Sequence, residues 1–241
     1  MSDTRASRTA AARLGMWAAL WTGLGILLSA PVTMAIVAWV HPQPPWRDAE
    51  QLVHELHRVQ TLPFLAGFVL IAGLVLLVGA LHAAADERAR AGTSAALVFA
   101  GGFCALATLN YSAQTLLVPW LATHYQPAYA PLIAAWSMVN PDSLAWGLEM
   151  WAYAWIGVAT WLVAPVFANE GVERAARVLF TGNGVMSIGS AVATELHPGW
   201  AQSAVGLALF ALWNAWMLAM SGVAFVALRR RVAAAAQPSS H

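Results

Sequence analysis

Glu149 has the clearest chemical potential in this sequence, because it stands inside an apolar run that extends from residue 143 to residue 167. An ionisable group at membrane depth is rare, and by default it marks a pairing, a pathway or a site. A carboxyl that is held there by a hydrogen-bond partner can act as a general acid. If the protein is an enzyme, Glu149 is therefore its predicted catalytic residue.

Polar side chains with helical spacing predict the surroundings of Glu149. Asn110 and Gln114 are four residues apart in the preceding apolar run, and Tyr153 and Trp146 stand at i+4 and i−3 from Glu149. Each set therefore shares one helix face. If the two runs are antiparallel helices, these groups lie roughly 6–12 Å below the same membrane surface. The pattern predicts either a ligand-binding cluster or polar contacts that only hold helices together.

Two further tryptophans follow Glu149 and have two alternative uses. Trp151 and Trp155 can line an apolar cavity and offer their π faces to a cation, or they can fill space between helices. In the first case they belong with Asn110, Gln114, Tyr153 and Trp146 to one predicted ligand-binding set.

A second group of chemically capable side chains precedes the next apolar run. Glu50, His54 and His57 stand at i, i+4 and i+7 of a predicted amphipathic helix from Arg47 to Gln60. Carboxylate and imidazole groups on one helix face can bind Zn²⁺ or a similar ion. The alternative is an ordinary solvated face, because an amphipathic helix requires a polar side in any case.

The composition assigns these residues to a membrane protein. Of 241 residues, 60% are hydrophobic and 10% are charged, whereas soluble domains carry about 25% charged residues. The sequence contains no phosphate-binding loop, no dinucleotide fingerprint and no basic face for nucleic acid. No histidine lies in the middle of an apolar run, which argues against paired haem ligation. We expect membrane lipid and a lipophilic small molecule as partners, and neither a cofactor nor nucleic acid.

Apolar runs of sufficient length predict an all-α bundle of six transmembrane helices. A bilayer requires about 20 apolar residues, and the runs comprise residues 14–40, 62–82, 94–118, 143–167, 178–194 and 201–228. The helix from Arg47 to Gln60 is expected to lie at the membrane interface between the first two spans. Residues 1–13 form a predicted N-terminal tail and residues 232–241 a predicted disordered tail, so residues 14–231 constitute one membrane domain.

The positions of the arginines predict the orientation of the bundle. All basic residues are arginines, and all but Arg47 and Arg58 fall in the N-terminal tail, residues 83–93, residues 168–177 or the C-terminal segment. These four segments lie on one side of a bundle with six crossings. By the positive-inside rule, both termini are expected to be cytoplasmic in a multi-pass protein of the cell membrane.

The segments around Glu149 resemble a known family. NYSAQTLLVPWLA at residues 110–122, NP at 140–141 and APVF at 164–167 accompany Ala145, Leu148, Glu149 and Tyr153. This pattern is similar to a group of uncharacterised bacterial six-helix membrane proteins with a domain of unknown function. The resemblance implies a six-span bundle and supplies no activity.

These observations lead to one main functional hypothesis and two alternatives. The main hypothesis is an integral membrane protein that binds a lipophilic small molecule in an intramembrane cavity lined by tryptophans and Glu149. The first alternative is a non-redox isomerase or cyclase of an isoprenoid or lipid, with Glu149 as general acid and Trp151 and Trp155 stabilising cationic intermediates. The second is a small transporter or sensor, although the lack of visible internal symmetry weakens the transporter.

Overall fold

The structure, a computed structural model, describes residues 2–197 and 199–236, with side chains from residue 6 onward. Every regular element in these ranges is helical, which confirms the all-α prediction. Four helical segments are long and apolar enough to cross a membrane: Ala6–Val40, Arg58–Ala84, Glu87–Thr123 and Ala204–Ala236. By length and composition, the protein is a helical membrane bundle.

The described residues form α-helices that are numbered here in chain order. They are α1 (Ser2–Leu27), α2 (Thr33–Val40), α3 (Ala49–Glu55), α4 (Leu62–Ala84), α5 (Glu87–Ser112), α6 (Val118–Thr123), α7 (Ala130–Trp136), α8 (Leu144–Val163), α9 (Gly171–Leu196) and α10 (Ala204–Ala236). Two π-helical segments, Leu28–Val32 and Ala113–Leu117, join α1 to α2 and α5 to α6. Pro31 lies inside the first and Pro119 just after the second, and a proline ring does not fit regular α-helical backbone.

The long helices pack in chain order as a closed ring. α1 contacts α4, α4 contacts α5, α5 contacts α8, α8 contacts α9, α9 contacts α10, and α10 returns to α1. The side chains of Leu74, Phe103, Ile156, Phe180 and Met217 are fully buried in the shared core. Each helix thus buries one side in the ring and leaves the other apolar side exposed, as a membrane bundle requires.

Small residues allow the closest helix contact in the ring, between α1 and α4. A Cβ atom at Gly25 would meet the backbone of Leu70, and one at Gly73 would meet the backbone of Thr22. Packing of this kind drives helix association in membranes, where burial of apolar surface gives no advantage. α4 is therefore held closely against α1, while it also packs on α5, which carries part of the site described below.

Side-chain caps set the starting points of α5 and α8. The Asp86 carboxylate accepts a hydrogen bond from the Ala89 N–H at 3.0 Å, and the Ser143 hydroxyl accepts one from the Trp146 N–H at 3.4 Å. Such caps satisfy backbone donors that have no partner within the helix. Because α8 begins after Ser143, Glu149 lies roughly 9 Å along its axis.

Three helical segments have boundaries that differ from those predicted. α1 begins at Ser2, so the predicted N-terminal tail is part of the first helix. The helical segment of the third run continues through α6 to Thr123 instead of ending at residue 118. α10 continues to Ala236, so the predicted disordered tail is helical over residues 232–236, while residues 237–241 lie outside the described residues.

Short helices form a cap over one end of the ring, and this end is called the cap end. The cap consists of α3, α6 and α7, which share a cluster of buried apolar residues: Ala49, Leu52, Val118, Leu121 and Ile133. The predicted helix from Arg47 to Gln60 is thus shorter than expected, since α3 ends at Glu55. Its apolar side does exist, but α6 and α7 cover it.

α8 and α9 are as long as membrane-crossing helices but less apolar than the four candidate spans. α8 has 20 residues and α9 has 26. Glu149 and several aromatic residues with polar atoms lower the apolarity of α8, and a charged first turn with later Gly, Ser and Asn residues lowers that of α9. Both helices nevertheless complete the ring between α5 and α10.

Candidate functional site

The Glu149 carboxyl is buried at the cap end, with 8% of the residue exposed. Two residues of α5 bond to it: the Asn110 side-chain amide donates to Oε2 at 2.9 Å, and the Tyr111 hydroxyl donates to Oε1 at 2.9 Å. Each carboxyl oxygen therefore has one neutral donor. We refer to Glu149, Asn110, Tyr111, Gln114 and Tyr153 as the Glu149 cluster.

A second phenol extends the cluster along α8. The hydroxyl oxygens of Tyr111 and Tyr153 lie 2.9 Å apart. Because the Tyr111 proton is donated to Glu149, the Tyr153 hydroxyl is the donor to Tyr111. The result is a continuous hydrogen-bonded series from Tyr153 through Tyr111 to the carboxyl, which is a geometry that can pass a proton.

Aromatic rings from α4, α5 and α10 enclose the two phenols. Phe64 and Phe68 of α4 meet the Tyr111 ring edge-on, with ring centroids 5.7 Å and 6.0 Å away. Phe103 of α5 and Trp213 of α10 meet Tyr153 in the same manner, at 5.5 Å and 5.0 Å.

Gly67 of α4 leaves room for the Tyr111 ring. A Cβ atom at Gly67 would collide with the Tyr111 ring. Because α4 carries no side chain at this point, the ring lies flat against the helix and directs its hydroxyl towards α8. The absence of a side chain at Gly67 is therefore one of the conditions for the bond between Tyr111 and Glu149.

Gln114 connects the cluster to the cap. Its side-chain amide donates to the Trp136 carbonyl at 2.6 Å and to Asn110 Oδ1 at 3.3 Å, and its Oε1 accepts from the Met138 N–H at 3.0 Å. Both backbone bonds fall in the segment of residues 136–138, which begins at the last residue of α7. One side chain thus binds this segment on two sides and also orients the amide that bonds Glu149.

Two other contacts bring Met138 to the site. The Trp146 indole N–H donates to the Met138 carbonyl at 2.8 Å, and the Asn110 amide donates to Met138 Sδ at 3.3 Å. A thioether is a weak acceptor, so the second contact is the weakest of the polar contacts around Asn110. The Met138 side chain therefore covers the cluster from the cap side with only a weak bond to Asn110, while its backbone N–H bonds Gln114.

The π-helical segment Ala113–Leu117 lies where α5 leaves the cluster. A π-helical turn holds an extra residue and changes the direction of the side chains that follow it, and such segments are frequent at functional sites. Gln114 lies within this segment, and the Thr115 hydroxyl donates back to the Tyr111 carbonyl at 2.8 Å. The irregular backbone is thus stabilised at the position where Gln114 turns towards the cap.

The structure brings together four of the residues predicted to surround Glu149. Asn110 bonds directly to the carboxyl, Gln114 acts through Asn110, Tyr153 acts through Tyr111, and Trp146 holds the 136–138 segment.

The remaining two predicted residues, Trp151 and Trp155, lie elsewhere. They are 40% and 38% exposed, on the side of α8 away from Glu149, because two and six residues along a helix correspond to about 200° and 240° of rotation. The Trp151 indole bonds to Glu195 Oε1 at 2.7 Å, and Trp155 packs on Phe99 of α5.

Tyr111 and Met138 are site residues that the sequence prediction omitted. Tyr111 precedes Gln114 by three residues, so the helical spacing that selected Gln114 also places Tyr111 on that face. Met138 lies in a connecting segment, and its contact with Asn110 depends on how the cap folds. For Met138 no pattern in the sequence gave a signal.

The predicted metal site does not form as expected. His57 lies beyond the end of α3, so Glu50, His54 and His57 do not share one helix face, and His57 stacks on His41 at 4.7 Å instead. Within residues 2–197 and 199–236, no group of three His, Cys, Asp or Glu side chains is placed to hold a metal ion.

A separate buried polar group joins α8, α9 and α10 near the middle of the ring. The Asn183 amide donates to the Thr160 hydroxyl at 3.0 Å, and the Trp213 indole donates to Asn183 Oδ1 at 3.1 Å. Because the same indole ring packs on Tyr153, Trp213 connects this group to the Glu149 cluster.

An ion pair joins α9 and α10 at the end of the ring opposite the cap. The Arg231 guanidinium of α10 bonds both carboxylate oxygens of Glu173 in α9, at 2.7 Å and 2.6 Å, and also the Val166 carbonyl at 2.9 Å. The hydrogen bonds from Arg231 lower the pKa of the Glu173 carboxyl below its ordinary value of 4.5. No ion pair of this kind involves Glu149 in the part of the chain that the structure describes.

Comparison of this chain with protein-family models, with curated proteins and with solved structures finds no match.

Proposed function

We propose that the chain crosses the membrane six times, with both termini in the cytoplasm. The closed ring supports this proposal, since α8 packs along α5, α9 packs along α10, and α8 and α9 pack along each other. α8 is about 30 Å long at 1.5 Å per residue, which equals the thickness of the hydrocarbon core. The cap and the Glu149 cluster then lie on the outer side of the membrane.

The function we propose is the binding of a lipophilic small molecule at the Glu149 cluster. One observation carries this proposal: a buried carboxyl is bonded only by neutral groups, among aromatic rings, under a cap. If this side chain served only to join helices, an amide or a hydroxyl could do the same, and either group costs less free energy to bury than an ionisable carboxyl. An acid retained in such a place is the default mark of a functional site in a membrane.

The 136–138 segment is the part of the cap that a ligand would displace. The side chains of Gln114, Trp146 and Asn110 bond to it, and the Ser137 N–H donates to the Ile133 carbonyl within the chain turn that follows α7. Among the described residues no ion pair holds this segment. Release of these few bonds would open the cluster at the cap end. The helices of the ring would not need to separate.

Mass spectrometry of the purified protein tests the proposal. The full chain is extracted in mild detergent, and small molecules that co-purify with it are identified and counted per protein. We expect a lipophilic compound to be enriched in the native protein and lost from Glu149→Gln. Glu195→Gln is the matched control, since it makes the same chemical change at an exposed carboxyl that bonds only Trp151.

The result is interpretable only if the variants remain folded, which their elution in gel filtration and their melting temperatures establish. If the native protein and Glu149→Gln retain the same set of compounds in equal amounts, the proposed binding site is wrong.

A second candidate function, catalysis by Glu149 as a general acid, is favoured by the series of phenols behind the carboxyl. In such an isomerisation or cyclisation Glu149 would give one proton to the isoprenoid or lipid substrate and take one back from the cationic intermediate. The Tyr111 hydroxyl would donate a hydrogen bond to the carboxylate between these two steps. The rings that would stabilise a cationic intermediate are then Tyr111, Tyr153 and Trp213 instead of Trp151 and Trp155. Incubation with prenyl lipids followed by product analysis tests this; an isomerised or cyclised product absent from Glu149→Gln and reduced in Tyr111→Phe would support it.

A further inference from the structure

The charge at the Glu149 cluster is unbalanced when the carboxyl is ionised. The groups that bond it are an amide and a phenol, and the next shell consists of another phenol, another amide and aromatic rings. Among the described residues, the ion pair between Glu173 and Arg231 is partly exposed and lies at the opposite end of the ring, and no arginine bonds the Glu149 cluster.

An ionised carboxylate in apolar surroundings requires a positive partner, whereas a protonated carboxyl does not. The residues that the structure describes supply no such partner to Glu149. A ligand that binds to the ionised form must therefore bring the positive charge, and a neutral or anionic ligand would leave the charge unbalanced or double it.

The remaining features of the site suit a cation with apolar substituents. Glu149 uses one acceptor position on each oxygen, and a carboxylate offers roughly four, so positions remain for a ligand. The Tyr111 hydroxyl bonds the carboxyl, Tyr153 bonds Tyr111, and the Trp213 ring packs on Tyr153. Aromatic rings of this kind attract a cation. The thioether of Met138, which is bonded only weakly, covers the cluster on the cap side.

We infer that the ligand of the Glu149 cluster is a lipophilic organic cation, and that its binding releases one proton from Glu149 to the outer solvent. This inference rests on the proposed function and adds the chemical class of the ligand. The titratable groups that face Glu149 are Tyr111 from α5 and Tyr153 from α8; α4 contributes phenylalanines, α10 contributes Trp213 and the cap contributes Met138. Glu149 is thus the group that exchanges the proton.

The test compares two probes of the same shape and opposite charge. Radiolabelled tetraphenylphosphonium is bound to the full chain in lipid nanodiscs, with unlabelled tetraphenylphosphonium, octyltrimethylammonium and tetraphenylborate as competitors. We expect saturable binding at one site, displacement by both cations and none by the borate. In weakly buffered solution, about one proton should appear for each cation bound, because exchange at a single carboxyl releases one.

Variants connect the binding to Glu149. Glu149→Gln retains the shape without the charge and should weaken binding at least tenfold and abolish proton release. Glu149→Asp retains the charge on a shorter side chain and should bind the cation more strongly than Glu149→Gln does. Glu195→Gln should bind like the native protein. Melting temperatures of all variants exclude loss of fold as the cause.

Each outcome decides the inference. If the borate binds at the same site as tightly as the phosphonium, and both require Glu149, the cationic class is wrong while the proposed binding function stands. If phosphonium binding is unsaturable or is unchanged in Glu149→Gln, the inference is also wrong, and the proposed function is then judged by the co-purification experiment alone.

Discussion

At the scale of single residues, Glu149 is stabilised by two neutral donors that have no other acceptor of comparable strength. Substitution by alanine would leave the Asn110 amide and the Tyr111 hydroxyl without this partner and would open a cavity. We expect Glu149→Ala to lower the free energy of unfolding by about 2–4 kcal/mol. Glu149→Gln keeps the volume and one acceptor, so the loss should be about 1 kcal/mol.

Thermal unfolding in mild detergent measures this difference. Glu195→Gln, on an exposed carboxyl, should shift the free energy by no more than about 0.5 kcal/mol. Equal melting temperatures for Glu149→Ala and the native protein would mean that the carboxyl is not bonded as described.

The two phenols of the cluster depend on each other, and this gives a second prediction. Tyr111→Phe removes the bonds to both Glu149 and Tyr153, and we expect a loss of about 1–3 kcal/mol. Tyr153→Phe removes only the bond to Tyr111 and should cost about 1 kcal/mol. Because the Tyr153 hydroxyl bonds only Tyr111, the double variant should be no less stable than Tyr111→Phe. Strict additivity in this double-mutant cycle would contradict the described series.

Helical spacing was sufficient to predict the pairing of Asn110 and Glu149, but not the whole site. The contacts of Asn110, Gln114, Glu149 and Tyr153 were predictable because helical spacing places each pair on one face of its helix. Trp151 and Trp155 were assigned by nearness in sequence, although helix geometry places them on the opposite face from Glu149. Met138 was not predictable, because its position depends on tertiary contacts of the cap.

At the scale of elements, Gln114 connects the π-helical segment to the segment of residues 136–138. Removal of its side chain in Gln114→Ala should leave the Met138 N–H and the Trp136 carbonyl without their partners. We expect hydrogen exchange of the Met138 amide to become roughly 5–30-fold faster, which corresponds to a loss of 1–2 kcal/mol in local stability. Hydrogen exchange with mass spectrometry on peptides that cover residues 130–143 measures this.

Thr123→Ala is the matched control for Gln114→Ala. The Thr123 hydroxyl is exposed and bonds only the Pro119 carbonyl, one turn before the end of α6. The Thr123→Ala substitution should leave the rate of hydrogen exchange at the Met138 amide unchanged. If Gln114→Ala also leaves it unchanged, Gln114 does not hold the segment.

The ion pair between α9 and α10 gives a prediction about pH. The pKa of Glu173 is lowered by the hydrogen bonds from Arg231, so the folded state holds the ionised carboxylate more tightly than the unfolded state does. This stabilisation is present above the ordinary pKa of 4.5 and is lost as the pH falls through the lower pKa of the folded state. Glu173→Gln should therefore melt at a lower temperature than the native protein at pH 7.

The difference in melting temperature between the native protein and Glu173→Gln should shrink as the pH is lowered below about 4.5. Glu87→Gln is the control, because Glu87 occupies the first turn of α5 as Glu173 occupies that of α9 and is exposed. If the difference in melting temperature does not change with pH, Glu173 stabilises the fold through the shape of its side chain and not through its charge.

The cap shows why some elements of this fold were predicted and others were not. The apolar runs of α1, α4, α5 and α10 are long enough to determine their helices by length alone. α3, α6 and α7 are shorter than the helices that are stable in isolation, and they fold through the shared cluster around Leu52, Leu121 and Ile133. Their ends are therefore set by tertiary contacts: α3 ends at Glu55, and Arg58 begins a separate short helix.

At the scale of the whole molecule, the number of membrane crossings determines on which side of the membrane the segment between α8 and α9 lies. Four of the helical segments qualify as spans by length and apolarity, and four or six crossings both leave the two termini on the same side. The arginine distribution agrees with either number, except for the segment of residues 168–177, which contains Arg174 and Arg177. That segment is on the side of the termini only if α8 and α9 both cross.

Labelling of single cysteines decides between the two topologies. Cys104 is first replaced by alanine, and a cysteine is then introduced by Gln126→Cys, Glu170→Cys or Glu87→Cys, all at exposed positions. In intact cells, a membrane-impermeant maleimide should react with the Gln126→Cys protein. It should react with the Glu170→Cys and Glu87→Cys proteins only after the membrane is permeabilised, because six crossings place both positions in the cytoplasm.

If α8 and α9 instead formed a hairpin that enters and leaves at the cap end, the Glu170→Cys protein would be labelled in intact cells together with the Gln126→Cys protein. In that case Glu149 would lie in a hairpin that does not cross, and a cation bound there would have no path to the cytoplasm along α8. With six crossings, Tyr153 and the buried group around Asn183 continue from Glu149 towards the middle of the bundle. The label at position 170 therefore decides whether the Glu149 cluster lies in a crossing helix at all.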